Sequence, residues 1–297
     1  MTHVVLATGD LAPDRENYDE SYLATRDVLR SADVVFGQLE TSFAASGTRL
    51  PQARHAVRAR PEGAAALARA GFTVVSMAGN HCMDWGREAF FETRRHLEAA
   101  GIAVVGAGED IAEARRPVIR TLGDGTRVAF LAYSSILPHS YWADERRPGC
   151  APMRAHTVYE QIEHDQPGTP ARVHTCPHRG DLAAMQDDIR AAKGAADLVF
   201  VSQHWGIHFV RAVIADYEHD VARAAIEAGA DAVIGGQEVR HRVAADIDRQ
   251  HPGLQDLAAL DLEAGDHGKA GGGGEIIQAF EVWFPFLGQH ADLVPAF

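Results

Sequence analysis

The chain has 297 residues, 46% of them apolar, and 28 Lys and Arg against 41 Asp and Glu give it a net charge of −13. It is long enough to bury a sizeable core in a single domain, 1–297, and its acidity excludes nucleic acid as a partner while leaving room for one phosphate in a metal-rich pocket. No run of about 18 apolar residues predicts a membrane span, and Met1-Thr2-His3-Val4 reaches Gly9-Asp10 with no cationic and apolar leader, so a cytoplasmic location is expected.

Val4 to Thr8 reads as a strand ending in Gly9-Asp10, and Ser21 to Arg30 as a helix with Tyr22, Leu23, Val28 and Leu29 on one side. Asp33 to Gly37 is a second strand, running into Gln38-Leu39-Glu40-Thr41. A helix from Pro61 to Ala70 leads to a third strand, Thr73 to Met77, which stops at Ala78-Gly79-Asn80-His81. Arg87 to Ala100 carries an apolar stripe that Gly101 terminates. Ile102 to Val105 follows as a strand, and Val118 to Leu122 with Arg127 to Tyr133 as a hairpin about Gly123-Asp124-Gly125.

From Ser134 to Arg179 the periodicity fails, and a loop of that length reads as a lid or binding loop, taken here as 134–180. Its His174-Thr175-Cys176-Pro177-His178 lacks a second ligand pair and reads as solvated loop. Regularity returns with the helix Asp181 to Lys193 and the strand Asp197 to Ser202, which ends in Gln203-His204-Trp205-Gly206. The helix Asp216 to Ala228 precedes the strand Asp231 to Ile234. Gly265 to Gly274 reads as a turn region and Glu275 to Phe286 as a last strand. Three widely spaced cysteines, Cys82, Cys150 and Cys176, read as reduced thiols rather than a disulfide framework.

Asp10, Glu40, Asn80, His81 and His204 all fall where strands stop, and in parallel sheets such ends share one edge. Singly each has a plainer reading: an Asx turn, a surface carboxylate, a turn, a helix cap, a core imidazole. Together, carboxylates, a carboxamide oxygen and imidazole suit two divalent ions such as Mn, Zn or Fe. Asp10 and Glu40 would hold the charge, Asn80 would complete a shell and His204 would supply nitrogen. His81 would stay off the metal as the catalytic imidazole, stabilising the transition state or protonating a leaving group.

The runs Thr8-Gly9-Asp10, Leu39-Glu40-Thr41, Ala78-Gly79-Asn80-His81 with Asp84 and Gly86, Val105-Gly106-Ala107-Gly108, and His204-Trp205-Gly206 followed by Ala228 to Gly235 resemble the CapA family of poly-γ-glutamate capsule synthesis proteins. The likeness covers about Thr2 to Gly236. It implies an α/β, metallophosphoesterase-like sandwich of two mixed β-sheets flanked by helices, with Asp10, Glu40, Asn80 and His204 as ligands and His81 as catalytic imidazole. The family's histidine-rich motif after Ile-Gly is replaced by Gly236-Gln237-Glu238-Val239-Arg240-His241. Either His241 ligates from a shifted position or one metal site is weakened. His208 stands where glutamate is common, and 237–297 is divergent. Two functions follow. One is a metal-dependent hydrolase of a small phosphoester or γ-glutamyl amide, with Arg146, Arg147, Arg154 and Arg172 available to anionic groups. The other is a non-catalytic assembly factor in capsule biosynthesis.

Overall fold

The computed structural model describes residues 3–13, 16–207 and 213–236, together with the backbone of 281–283. In chain order the elements are β1 (Val5–Leu11), α1 (Arg26–Arg30), β2 (Val34–Leu39), β3 (Ser42–Phe43), β4 (Arg58–Ala59), α2 (Glu62–Ala70) and β5 (Val74–Ser76). Next come α3 (Gly86–Ala99), β6 (Ala103–Val105), β7 (Ala107–Gly108), α4 (Ile111–Ala114), β8 (Val118–Thr121), β9 (Arg127–Ser134) and β10 (Gly149–Cys150). The last are β11 (Ala155–Glu160), β12 (Arg172–Pro177), α5 (Arg179–Lys193), β13 (Leu198–His204), α6 (Asp216–Ala228), β14 (Ala232–Gly236) and β15 (Glu281–Trp283).

Two sheets dominate. One has four parallel strands in the order β1-β2-β5-β6. The other has five in the order β15-β14-β13-β9-β8, with β13 parallel to β9 and β14 and the outer strands antiparallel. The architecture expected from the sequence is therefore present, with the mixed pairing confined to the second sheet.

Period-two alternation along β9 assigns its two faces. Val128, Phe130 and Ala132 join the core shared with β1, β2 and β5, where Phe36 and Phe130 stack at 5.7 Å. Ala129, Leu131 and Tyr133 face the other way, into a second core with Met185 and Ile189 of α5 and Val221 and Ala225 of α6. Leu67 of α2 and Phe90 and Leu97 of α3 belong to the first core. The result is a sandwich of two sheets with helices outside. Strand β2, all six residues of which are buried, is covered on both faces, which explains the apolar run from Val34 to Gly37.

Three expectations are corrected. Ser21 to Arg30 is not one helix: a 3-10 turn covers Tyr18–Tyr22 and α1 begins only at Arg26. The Asn17 side chain accepts from Asp19 N at 3.2 Å and starts the turn early, and Tyr22 then packs edge-on against Phe72 at 5.9 Å. Strand β1 runs past Thr8 to Leu11, with a register break between Ala7 and Asp10 that resets its alternation.

The third correction concerns 134–179, which holds regular structure: β10 pairs with β7, and β11 with β12 as a hairpin. The hairpin is mostly exposed, so it lacks the apolar alternation that marks a half-buried strand. It is anchored instead by polar bonds to α6, with Thr175 N donating to Asp216 at 3.1 Å and Tyr217 N donating to the Thr175 hydroxyl at 3.0 Å. His174 to Pro177 thus lie on β12 rather than in a loop, and His178 caps α5 by accepting from Asp181 N at 3.2 Å.

Candidate metal centre

The carboxyl ends of β1, β2, β5 and β13 converge on one edge of the sandwich. Leu11 pairs with Leu39, and Glu40 N donates to Leu11 O at 3.0 Å, which sets Asp10 and Glu40 side by side. His204 closes β13 in register with Gly236 and Ser134. After β5 the chain folds through successive tight turns, Cys82 N to Gly79 O and Asp84 N to His81 O, before entering α3. Asn80 and His81 project from those turns.

Among the described residues, Asp10, Glu40 and His204 form the group able to hold a metal ion, each offering an atom within 4.8 Å of the others. His204 Nε2 lies 2.7 Å from Asn80 Oδ1 and 3.6 Å from Glu40 Oε1. Four of the sequence-derived ligands, Asp10, Glu40, Asn80 and His204, thus meet in one place. His241 and His208 lie outside the described residues.

Glu40 is 7% exposed. Burial, and then the charge of Asp10, push its carboxyl well above the usual carboxylate range, while the Gln38 amide opposes the shift by donating to Oε1 at 2.8 Å. A buried carboxyl that faces a second one resists ionisation, and a cation between them removes that penalty. Oxygen donors with one imidazole fit a divalent ion of borderline hardness. Gly79 makes room for this arrangement: a Cβ there would run into Glu40 Oε1 and sit 2.6 Å from Gln38 Nε2.

His81 stands beside the cluster rather than within it, its Nε2 3.9 Å from Glu40 Oε2. Its Nδ1 lies 2.6 Å from Asp84 Oδ2, and Tyr141 donates its hydroxyl to Asp84 Oδ1 at 2.9 Å. Asp84 and Tyr141 are 1% and 0% exposed. Burial and the Asp84 charge raise the Tyr141 hydroxyl above its ordinary value, so it remains a donor. The contact to Asp84 occupies Nδ1 and leaves Nε2 facing the cluster.

Sequence reasoning gave no role to Gln38, Asp84 or Tyr141. Gln38 was legible in principle, since two residues before Glu40 on a strand means the same side. Tyr141 sends no such signal, being 57 residues from its partner. Three arginines considered for anionic substrates are engaged elsewhere: Arg147 with Asp144, Arg154 with Asp181 and Arg172 with Glu160.

A family model described as "Bacterial capsule synthesis protein PGA_cap" matches residues 4–238. The chain belongs to this family. Among PGA_cap relatives, it is 31% identical over 208 residues to a "Probable polyglutamine synthesis accessory protein" of Mycobacterium tuberculosis (strain CDC 1551 / Oshkosh), covering 69% of this chain and 49% of that one. It is 28% identical over 177 residues to "Capsule biosynthesis protein CapA" of Bacillus anthracis, covering 60% and 37%. With "PGA biosynthesis protein CapA" of Bacillus subtilis (strain 168) the identity is 22% over 224 residues, covering 75% and 51%. The chain thus spans about half the length, or less, of these PGA_cap relatives. Asp10, Glu40, Asn80 and His204 all lie inside the matched region. Among the described residues no helix is long and apolar enough to cross a membrane.

Proposed function

We propose that this PGA_cap chain is a metal-dependent hydrolase of capsule-polymer chemistry, acting on a γ-glutamyl-type amide or a small phosphoester. The observation that carries the reading is the division of labour at the sheet edge. Asp10, Glu40, Asn80 and His204 face one another, and His81 stands just outside, backed by Asp84 and Tyr141. A cluster built only to stabilise the fold has no use for an imidazole aimed at it and oriented by a buried carboxylate.

Asp10, Glu40, Asn80 and His204 would hold divalent ions, two of them if His241 or another residue outside the described segments completes a second shell. Such ions supply Lewis acidity toward water and the scissile group. His81 Nε2 is the catalytic position: with Nδ1–H donating to Asp84, a second proton taken up from solvent at Nε2 would be passed to the leaving group, returning the ring to its Nδ1–H form. Asp84 fixes the ring and its tautomer through Nδ1, and Tyr141 holds Asp84 in turn, which makes both of them positioning residues. In this reading 1–297 forms one CapA-type unit. The 134–180 segment serves as an insertion that delivers Tyr141, and 237–297 is a divergent end.

The test is elemental analysis of the purified chain and its His204→Ala variant, with turnover of γ-glutamyl and phosphodiester chromogenic substrates before and after chelation. We expect transition metal in the wild type, loss of it in the variant, and turnover that Mn²⁺ or Zn²⁺ restores. Turnover that survives exhaustive metal removal would refute the reading. Metal without turnover would favour the second reading, a non-catalytic assembly role, with which the name "accessory protein" of the mycobacterial relative agrees.

A further inference from the structure

Cys82 follows His81 directly in the turn after β5, and Cys150 ends β10, 68 residues further along. Their Sγ atoms lie 2.9 Å apart, and the residues are 5% and 0% exposed. A disulfide spans about 2.05 Å between its sulfurs, so the two need approach by less than ~1 Å to bond. The surroundings tolerate the bonded state as well. Cys150 Sγ donates to Met77 O at 3.0 Å, and when that S–H is gone the same carbonyl keeps Gly79 N as donor at 3.0 Å. Neither state leaves this backbone acceptor orphaned.

We propose that Cys82 and Cys150 are a redox pair that closes into a disulfide beside the candidate metal centre. The S–S bond forms as two S–H bonds break, and the pair gives up two protons and two electrons. A peroxide takes them, its O–O bond breaking to give two waters, or a small-molecule disulfide is reduced to two thiols. The reduced thiols expected from the cysteine count describe only the open state. Closing the pair ties the segment that carries Tyr141 to the turn that carries His81, next to the existing bond from Tyr141 to Asp84. The redox state therefore sets how firmly the His81 turn is held. The proposal stands on the sulfur geometry and does not depend on what the centre hydrolyses.

Cys176 is exposed on β12 and belongs to neither partner, so the test uses the full chain carrying Cys176→Ser. The protein is incubated with hydrogen peroxide or oxidised glutathione, then examined by intact mass, by thiol titration under denaturing conditions, and by thermal unfolding. Because both thiols are buried, incubation extends to hours. We expect the mass to fall by two hydrogens, both thiols to disappear and a peptide pair spanning Cys82 and Cys150 to be recovered. Tm should rise by roughly 5 to 15 °C, since a long loop is closed in the unfolded chain. Dithiothreitol should reverse every change, and adding Cys150→Ser should abolish them. Two thiols still titratable after prolonged exposure to both oxidants would overturn the proposal. So would oxygen added to one sulfur without a cross-link.

Discussion

Replacing Tyr141 with Phe removes one oxygen from the second tier of the His81 assembly and leaves the ring in place. Tyr141 is fully buried and its hydroxyl donates to Asp84 Oδ1 at 2.9 Å, while Asp84 itself is 1% exposed. Water cannot readily replace the lost donor, so the variant leaves a buried carboxylate oxygen short of a partner. A hydrogen bond to a charged group is worth about 1.5–3 kcal/mol, and the missing oxygen opens no void large enough to add much to that. For a chain of this size each kcal/mol corresponds to roughly 2–4 °C, so Tyr141→Phe should lower Tm by roughly 3 to 12 °C. Urea unfolding at neutral pH should report the same loss as a lower midpoint with an unchanged slope. The control is Tyr159→Phe on β11, where the side chain is 72% exposed and the change should stay within about 0.5 kcal/mol. If both variants fall within that limit, the bond to Asp84 does not hold the turn, and the positioning role of Tyr141 fails with it.

Two further predictions test other parts of the molecule. The Ser46 hydroxyl, with Ala45 N and Ser46 N at 3.0 Å each, holds the Glu92 carboxyl down to about 2 from an ordinary 4.5. A depressed carboxyl contributes stability that is present above its unfolded value and lost as pH falls toward the folded one. Glu92→Gln should therefore destabilise at neutral pH, and its gap to wild type should narrow from about pH 5 to about pH 3; a gap that is constant or widens on acidification would count against this. At the centre, Gly79→Ala should press on Glu40 and Gln38 and weaken Mn²⁺ binding by about 10–100-fold in calorimetry with an unchanged circular dichroism spectrum. Wild-type affinity would mean that Glu40 is not held where the cluster requires it.

The sandwich of two sheets came from the family resemblance, whereas the strands were legible because they are apolar runs that stop at polar residues, and helices such as α3 because they carry an unbroken stripe. Asp10, Glu40, Asn80 and His204 were found for the same reason, as each marks the place where a buried run ends. What escaped detection was held together by polar or long-range contacts. The β11–β12 hairpin has little to bury, so it leaves no periodic trace, and its bonds to Asp216 and Tyr217 cannot be read locally. The 3-10 turn at Tyr18–Tyr22 depends on one Asn17 side chain and on packing against Phe72, which outweigh a plausible helical spacing. Tyr141 and Cys150 come from a stretch whose sequence reads as loop, yet they touch Asp84 and Cys82.

The candidate ligands come from both sheets: Asp10, Glu40 and Asn80 from the ends of the parallel one, His204 from the end of a strand in the mixed one. About two thirds of the chain separates the first from the last, so these are contacts of high sequence separation that a folding molecule acquires late. During synthesis the nascent chain cannot assemble the set until β13 has emerged and docked. An ion bound by all four residues would then bind the docked sandwich and not its separated halves, acting as a rivet between them. Its occupancy would stabilise the whole assembly by mass action, in proportion to the logarithm of free ion over dissociation constant. Metal supply would thereby govern the lifetime of the folded protein, independently of any reaction it performs.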